Sequence, residues 1–209
     1  ISDKPFTRSE LGLPESGFVF CCFNNNYKIN PSTFDSWMRI LKQVGDSVLW
    51  LFEDSPLAAR NLRKEAVKRG ISADRLVFAR VMSLPEHLAR HRAADLFLDT
   101  LPYNAHTTAS DALWCGLPVL TLIGNTFAGT VAASLLNAIQ LPELITTTQE
   151  QYEAAAVELA TAPAKLGRIK EKLANNRLTA PLFDTRLFCQ HIEAAYSEMY
   201  RRAVNHLPA

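Results

Sequence analysis

The residues best suited to chemistry lie between Leu96 and Pro118, in the stretch LFLDTLPYNAHTTASDALWCGLP. A short apolar run, Leu96-Phe97-Leu98, ends at Asp99, and a polar loop follows. His106-Thr107-Thr108 then opens a segment in which Ala109, Ala112, Leu113 and Trp114 recur at helical spacing. Gly116 just past that segment and Pro118 soon after are helix-end signals. The pattern predicts strand, loop, helix and stop. Thr108 and Asp111, three residues apart, have the form of a capping box with Asp in place of the usual Glu. A helix that begins at the end of a parallel strand aims its free N–H groups into the crevice above the sheet, where a phosphate is well held. His106, Thr107 and Thr108 are therefore expected to face a nucleotide diphosphate.

These residues need a sheet to carry them, and the rest of the chain supplies one. Phe18 to Phe23 (FVFCCF) and Ser47 to Phe52 (SVLWLF) are continuous apolar runs of strand length, as in strands buried on both faces. Between them, Asn30 caps a helix with Pro31 at its first position, and Phe34, Trp37, Met38, Leu41 and Val44 line one side of it. Pro56 to Arg69 reads as a second helix with a solvated basic face, stopped at Gly70. Leu76 to Phe78 reads as a third strand and Leu84 to Arg92 as a third helix. Val119 to Ile123 is a fifth strand, and Phe127 to Ile139 a fifth helix. After that the strand signal stops, and Gln149–Ala162, Ala164–Asn176 and Thr185–Asn205 read as three helices. Five strands alternating with helices predict an α/β fold with a parallel, doubly wound sheet and a C-terminal helical tail. The expected division is a linker or interlobe segment over 1–17, the sheet-bearing lobe over 18–145, and C-terminal helices over 146–209 that pack on this lobe or on a missing N-terminal lobe.

Composition excludes several function classes. With 209 residues and 48% apolar content, the chain can bury a full core, so disorder is not expected. A net charge of +1 argues against a nucleic-acid surface. No apolar run approaches the roughly 20 residues that span a bilayer, so no membrane partner is expected. The cysteines, Cys21, Cys22, Cys115 and Cys189, form no CxxC pair, which points to a reducing compartment, the cytoplasm, and to neither a disulfide framework nor a zinc site. The chain begins at Ile1 and not Met, as a piece of a longer protein would. No GxGxxG and no Walker loop is present, which disfavours a dinucleotide fold and a P-loop NTPase.

Ligands of open α/β sheets bind beyond the carboxyl ends of the strands. There the sequence places Asn24, Asn25 and Lys28 after the first strand, Arg80 to Met82 after the third, Asp99 to Thr108 after the fourth, and Gly124 to Thr126 after the fifth. A cation, amides, hydroxyls and helix N-termini together suit a phosphorylated ligand. Plainer readings stand beside this one. Lys28 reads equally as an ordinary loop lysine, His106 as a helix-start residue, and Thr107, Thr108 and Asp111 as capping groups. His87 and His91 have one-turn metal-ligand spacing, yet HLARH lacks the metalloprotease glutamate and a third ligand, so no metal site is expected. Trp37 and Trp114 read as core.

In this order, the segments FNNNYKINPSTFDSW, SVLWLF, PEHLARHRAADLFLDTLPYNAHTTASDALWCGLPVLT, VAASLL, QEQYEAAAVELA and APLFDT resemble the C-terminal catalytic lobe of the O-linked N-acetylglucosamine (O-GlcNAc) transferases. The resemblance runs from about Phe18 to the last helix, and the ordered combination makes it specific. It implies one Rossmann-like lobe of a glycosyltransferase-B (GT-B) fold. The activity implied is inverting, metal-independent transfer of N-acetylglucosamine from UDP to Ser or Thr hydroxyls, with no cofactor beyond the UDP-GlcNAc donor. The implied partners are a protein or peptide acceptor, an N-terminal catalytic lobe and tetratricopeptide repeats.

Residue by residue, the resemblance implies that Lys28 neutralises the diphosphate leaving group. Asn25 stands where the family has a glutamine contacting the donor phosphate. The Met82 backbone meets the uracil, and His87 and Arg90 line the nucleoside pocket. His106, Thr107 and Thr108 grip the diphosphate, and Asp111 binds the ribose. Leu84 replaces a lysine, and Tyr103 replaces a cysteine near the donor. A nucleotide-sugar-binding module without transferase activity, and a GT-B enzyme using another UDP-sugar, remain open alternatives.

Overall fold

The computed structural model describes residues 1–208. Six strands form one sheet in the order β3-β2-β1-β4-β5-β6: β1 (Phe18–Cys22), β2 (Ser47–Phe52), β3 (Leu76–Ala79), β4 (Leu96–Leu98), β5 (Val119–Leu122) and β6 (Ile145–Thr146). Every pairing is parallel. The helices are α1 (Pro31–Gln43), α2 (Pro56–Lys68), α3 (Leu84–Arg90), α4 (Thr107–Trp114), α5 (Phe127–Ala138), α6 (Gln149–Thr161), α7 (Pro163–Asn176) and α8 (Thr185–Val204). This is the expected Rossmann-like, doubly wound α/β sheet with a C-terminal helix.

The apolar runs became central strands because both of their faces are covered. Val19 to Cys22 and Leu96 to Leu98 are buried throughout, and β1 and β4 lie side by side with Cys21 opposite Phe97. α1 starts where Asn30 accepts from the Thr33 N–H at 2.9 Å, with Pro31 inside the first turn. Its stripe of Phe34, Trp37, Met38 and Leu41 is buried. Gly70 ends the α2 region at φ 76°, a left-handed conformation that glycine adopts without strain.

Several details depart from the expectations. β6 is a sixth strand, only two residues long and too short to show a period; it pairs with Thr121–Leu122 of β5. The third helix ends at Arg90 and continues as a 3-10 turn over His91–Ala93. Trp37 is core, but Trp114 is 37% exposed, its ring packed edge-on against Phe183. From Arg8 onward the N-terminal segment is held down: Leu11 and Leu13 are buried, and Arg8 donates to the Gly17 carbonyl and to Asp95. α8 has no buried residue, so it does not cover the sheet, and its Phe188, Tyr196 and Met199 face solvent.

α1 and α6 are joined at their interface by two bonds in series. The Trp37 indole N–H donates to the Tyr152 hydroxyl (3.1 Å), which donates to the Asp99 main-chain carbonyl (3.0 Å). All three groups are buried. Tyr152→Phe would strand the Trp37 N–H and the carbonyl at the end of β4. It is expected to lower unfolding stability by about 1–3 kcal/mol in urea titration, without changing the far-UV spectrum.

Candidate functional site

β1 and β4 are neighbours whose connections leave in opposite directions, which opens a crevice beyond their carboxyl ends. Two loops face each other across it. The loop after β1 makes a 3-10 turn over Asn26–Lys28, and the loop after β4 runs from Asp99 to His106 with a cis Leu101–Pro102 peptide. Lys28 crosses the gap: its Nζ donates to the Asn104 carbonyl at 2.8 Å and lies 3.9 Å from the centre of the Tyr103 ring. Asn24, buried, makes a second crossing. Its amide donates to Thr100 Oγ1 (2.8 Å), and its carbonyl accepts from the Thr108 hydroxyl. The result is a cleft of about 240 Å³ lined by Asn25, Lys28, Tyr103, His106, Thr107 and Thr108.

The mouth of α4 opens into this cleft. His106 holds the N-cap position at φ −107°, ψ −91°, and no side chain caps the helix. The capping-box expectation for Thr108 and Asp111 is therefore wrong. Thr108 lies within the first turn, two residues past the N-cap position, and its hydroxyl is better satisfied by the buried Asn24 carbonyl. An uncapped first turn leaves its N–H donors for a ligand, and the helix end favours an anion. His106 Nε2 is buried without a partner.

Beneath the cleft lies Asp99. Its carboxylate accepts from the N–H groups of Thr100 (2.7 Å) and Ala105 (2.6 Å) and from the Thr121 hydroxyl (2.7 Å). Burial pushes this carboxyl up to about 7, against the pull of those donors and of Lys28. Partial burial lowers the Lys28 ammonium, and the Asp99 charge opposes that fall.

The remaining expected site residues sit apart from this cleft. Arg90 is 1% exposed, donates to the Arg80 carbonyl and to His87 Nδ1, and lies 4.8 Å over the Phe23 ring. Arg90 and Met82 line a second cavity of about 360 Å³ at the β3 side. Asp111 follows one turn further along α4, half-buried, with its carboxyl raised by desolvation. Leu84, at the start of α3, is exposed. His87 and His91 are explained by each other: His91 Nδ1 bonds the His87 carbonyl at 2.8 Å, and the rings pack edge to face. Among the described residues, no three His, Cys, Asp or Glu side chains gather as a metal group would require. Asn24 and Asp99 were legible only as rim residues. The partners that give them their work lie 76 residues away for Asn24 and Thr100, and no spacing rule reaches so far.

The profile described as Glycosyl transferase family 41 matches residues 5–192. The chain belongs to this family. It is 38% identical over 202 residues to the UDP-N-acetylglucosamine--peptide N-acetylglucosaminyltransferase of Caenorhabditis elegans, covering 97% of the chain and 18% of that protein. It is 40% identical to an Arabidopsis thaliana protein named "Probable UDP-N-acetylglucosamine--peptide N-acetylglucosaminyltransferase SEC", over 95% of the chain and 20% of that protein. A solved O-GlcNAc transferase mutant from Thermobaculum terrenum superposes with a TM-score of 0.87 at 34% identity, over 91% of this chain and 37% of that one. Anabaena HepE, solved with UDP, shares the fold at a TM-score of 0.63 and 17% identity, over 91% of this chain and 51% of its own. The family 41 chain thus spans about a fifth of the curated relatives' length.

Burial also holds two histidines of this family 41 chain neutral, His87 at about 3 and His91 at about 4, both below the ordinary value. Groups depressed in this way contribute stability above about pH 6.5, and it is lost as pH falls through their folded values. His91→Leu is expected to flatten the loss of unfolding free energy between pH 6 and 4 by about one proton's worth, about 1.4 kcal/mol per pH unit. Urea titrations across that range read the slope.

Proposed function

We propose that the chain is the donor-binding half of an inverting, metal-independent protein O-N-acetylglucosaminyltransferase. It holds UDP-N-acetylglucosamine while the sugar passes to a Ser or Thr hydroxyl of a protein or peptide. One observation carries this reading: the Lys28 ammonium and the uncapped end of α4 share one cleft at the reversal of the sheet. The named activities of the Caenorhabditis elegans and Thermobaculum terrenum relatives support it.

Breaking the bond between the sugar's anomeric carbon and the phosphate oxygen leaves negative charge on the departing UDP. Lys28 and the α4 amides, with Thr107 and Asn25 beside them, are set to receive that charge where it develops. His106 and Thr108 wall the diphosphate. Met82, His87 and Arg90 take the nucleoside side, where the Arg90 guanidinium acts as a fixed wall because the Arg80 carbonyl and His87 already occupy it. Asp111 takes the ribose. The group that accepts the Ser or Thr proton would come from an N-terminal lobe, preceded by tetratricopeptide repeats in the parent protein. Four free cysteines, three of them buried, support a reducing compartment, the cytoplasm. No helix among the described residues is long and apolar enough to cross a membrane.

Calorimetric titration of UDP into the chain is expected to saturate. Lys28→Ala should weaken binding about tenfold to a hundredfold, the worth of a hydrogen bond to a charged group. In the full-length parent the same change is expected to lower kcat by about two to three orders of magnitude. Absence of binding by the unaltered chain at millimolar UDP overturns the reading.

A further inference from the structure

No ion pair joins Lys28 to Asp99, yet a single peptide group links them. The N–H of the 104–105 peptide, on Ala105, donates to Asp99 Oδ1 at 2.6 Å, and the C=O of the same peptide, on Asn104, accepts from Lys28 Nζ at 2.8 Å. The carboxylate meets the positive end of the peptide dipole and the ammonium its negative end, so each bond strengthens the other. We propose that Asp99 is a positioning residue for Lys28, holding the ammonium charged and aimed at the cleft through the 104–105 peptide. Its use in catalysis rests on the donor reading above; the linkage itself does not.

A clamp on the loop alone would not need a charge. One amide oxygen could accept from both the Thr100 and Ala105 N–H groups, which share Oδ1. A carboxylate only 3% exposed costs free energy unless something opposite uses it. The groups that sense Asp99 are Lys28 on the loop after β1, Cys22 on β1 and Tyr152 on α6. Burial raises both the Cys22 thiol and the Tyr152 phenol, so each stays protonated and neutral. Lys28 is left as the one countercharge among them. The benefit runs toward the lysine too: partial burial disfavours its ammonium, and the Asp99 charge offsets that. As pH rises through about 7, Asp99 ionises and the lysine gains its support.

Asp99→Asn tests this. The variant keeps Oδ1 for the two amides and sets an NH₂ against Thr121 Oγ1, which can turn to accept. Competitive labelling with acetic anhydride across the alkaline range, read by mass spectrometry, gives the titration midpoint of Lys28 and its plateau reactivity separately. In Asp99→Asn the midpoint is expected to move down, so that labelling at about pH 8 is at least about threefold faster, with an unchanged plateau and with Lys42 and Lys64 unaffected. A loosened loop would instead raise the plateau at a fixed midpoint, and that result overturns the proposal. Asp99→Ser, which removes the carboxylate charge and keeps one hydroxyl oxygen to accept from an amide, is expected to move the midpoint the same way. It decides the matter if Asp99→Asn does not fold, and an unmoved midpoint there also overturns the proposal. UDP titration of the unaltered chain separates the two readings. A chain that binds no UDP but shows the Lys28 shift loses the donor reading and keeps the linkage.

Discussion

An ammonium held in a cleft between two loops has to be drawn partly out of water and still kept charged. Lys28 meets both demands through its surroundings. The Asn104 carbonyl and the Tyr103 ring take the place of solvent around its Nζ, and the Asp99 carboxylate stands on the far side of the same peptide. A lysine free in solvent would spread its charge over many rotamers and be screened. Held between two loops, it presents that charge to the cleft from one direction.

The rest of the site follows from tying those loops together. The Thr108 hydroxyl donates to the Asn24 carbonyl, the Asn24 amide donates to Thr100 Oγ1, and the Thr100 hydroxyl donates to the Tyr103 carbonyl at 2.7 Å. All three bonds run in one direction. The Thr108 proton is thus committed inside the protein, and the donors left facing the cleft include the α4 amides, the Thr107 hydroxyl, the Asn25 amide and Lys28. Asn104 adds a side-chain bond back to the Thr100 carbonyl, so the loop closes on itself before it meets a ligand. A site set in this way needs little rearrangement when charge develops.

The residues around the cleft and the neighbouring cavity differ in how freely each can act. Asn25 is exposed at the cleft and free to reach a phosphate. Arg90 is held by the Arg80 carbonyl and His87 while its Nε has no partner, and Asp111 lies a turn along α4 from the cleft. Leu84 carries no charge and faces solvent, and the cavity beside β3 is walled by Met82 and the buried Arg90. The exposed α8, with its unpartnered aromatic stripe, marks the part of the chain least tied to the sheet.

By itself the sequence determined the sheet and its order of elements. Unbroken apolar runs at Phe18–Cys22 and Ser47–Phe52 make sense only as strands covered on both faces, and Asn30-Pro31 or Gly70 act on their nearest neighbours. It also determined that Lys28 and His106–Thr108 stand on the rim at the carboxyl ends of the strands, because every parallel strand delivers its next loop to the same edge. It could not show a two-residue strand at Ile145–Thr146, which has no period, nor that Thr108 would desert the helix cap for Asn24. Tertiary structure alone decided those points, and alone set Asp99 and Lys28 on opposite ends of the 104–105 peptide. Burial and hydrogen bonding across 76 residues, as between Lys28 and Asn104, depend on which strands become neighbours, and local sequence spacing does not encode that.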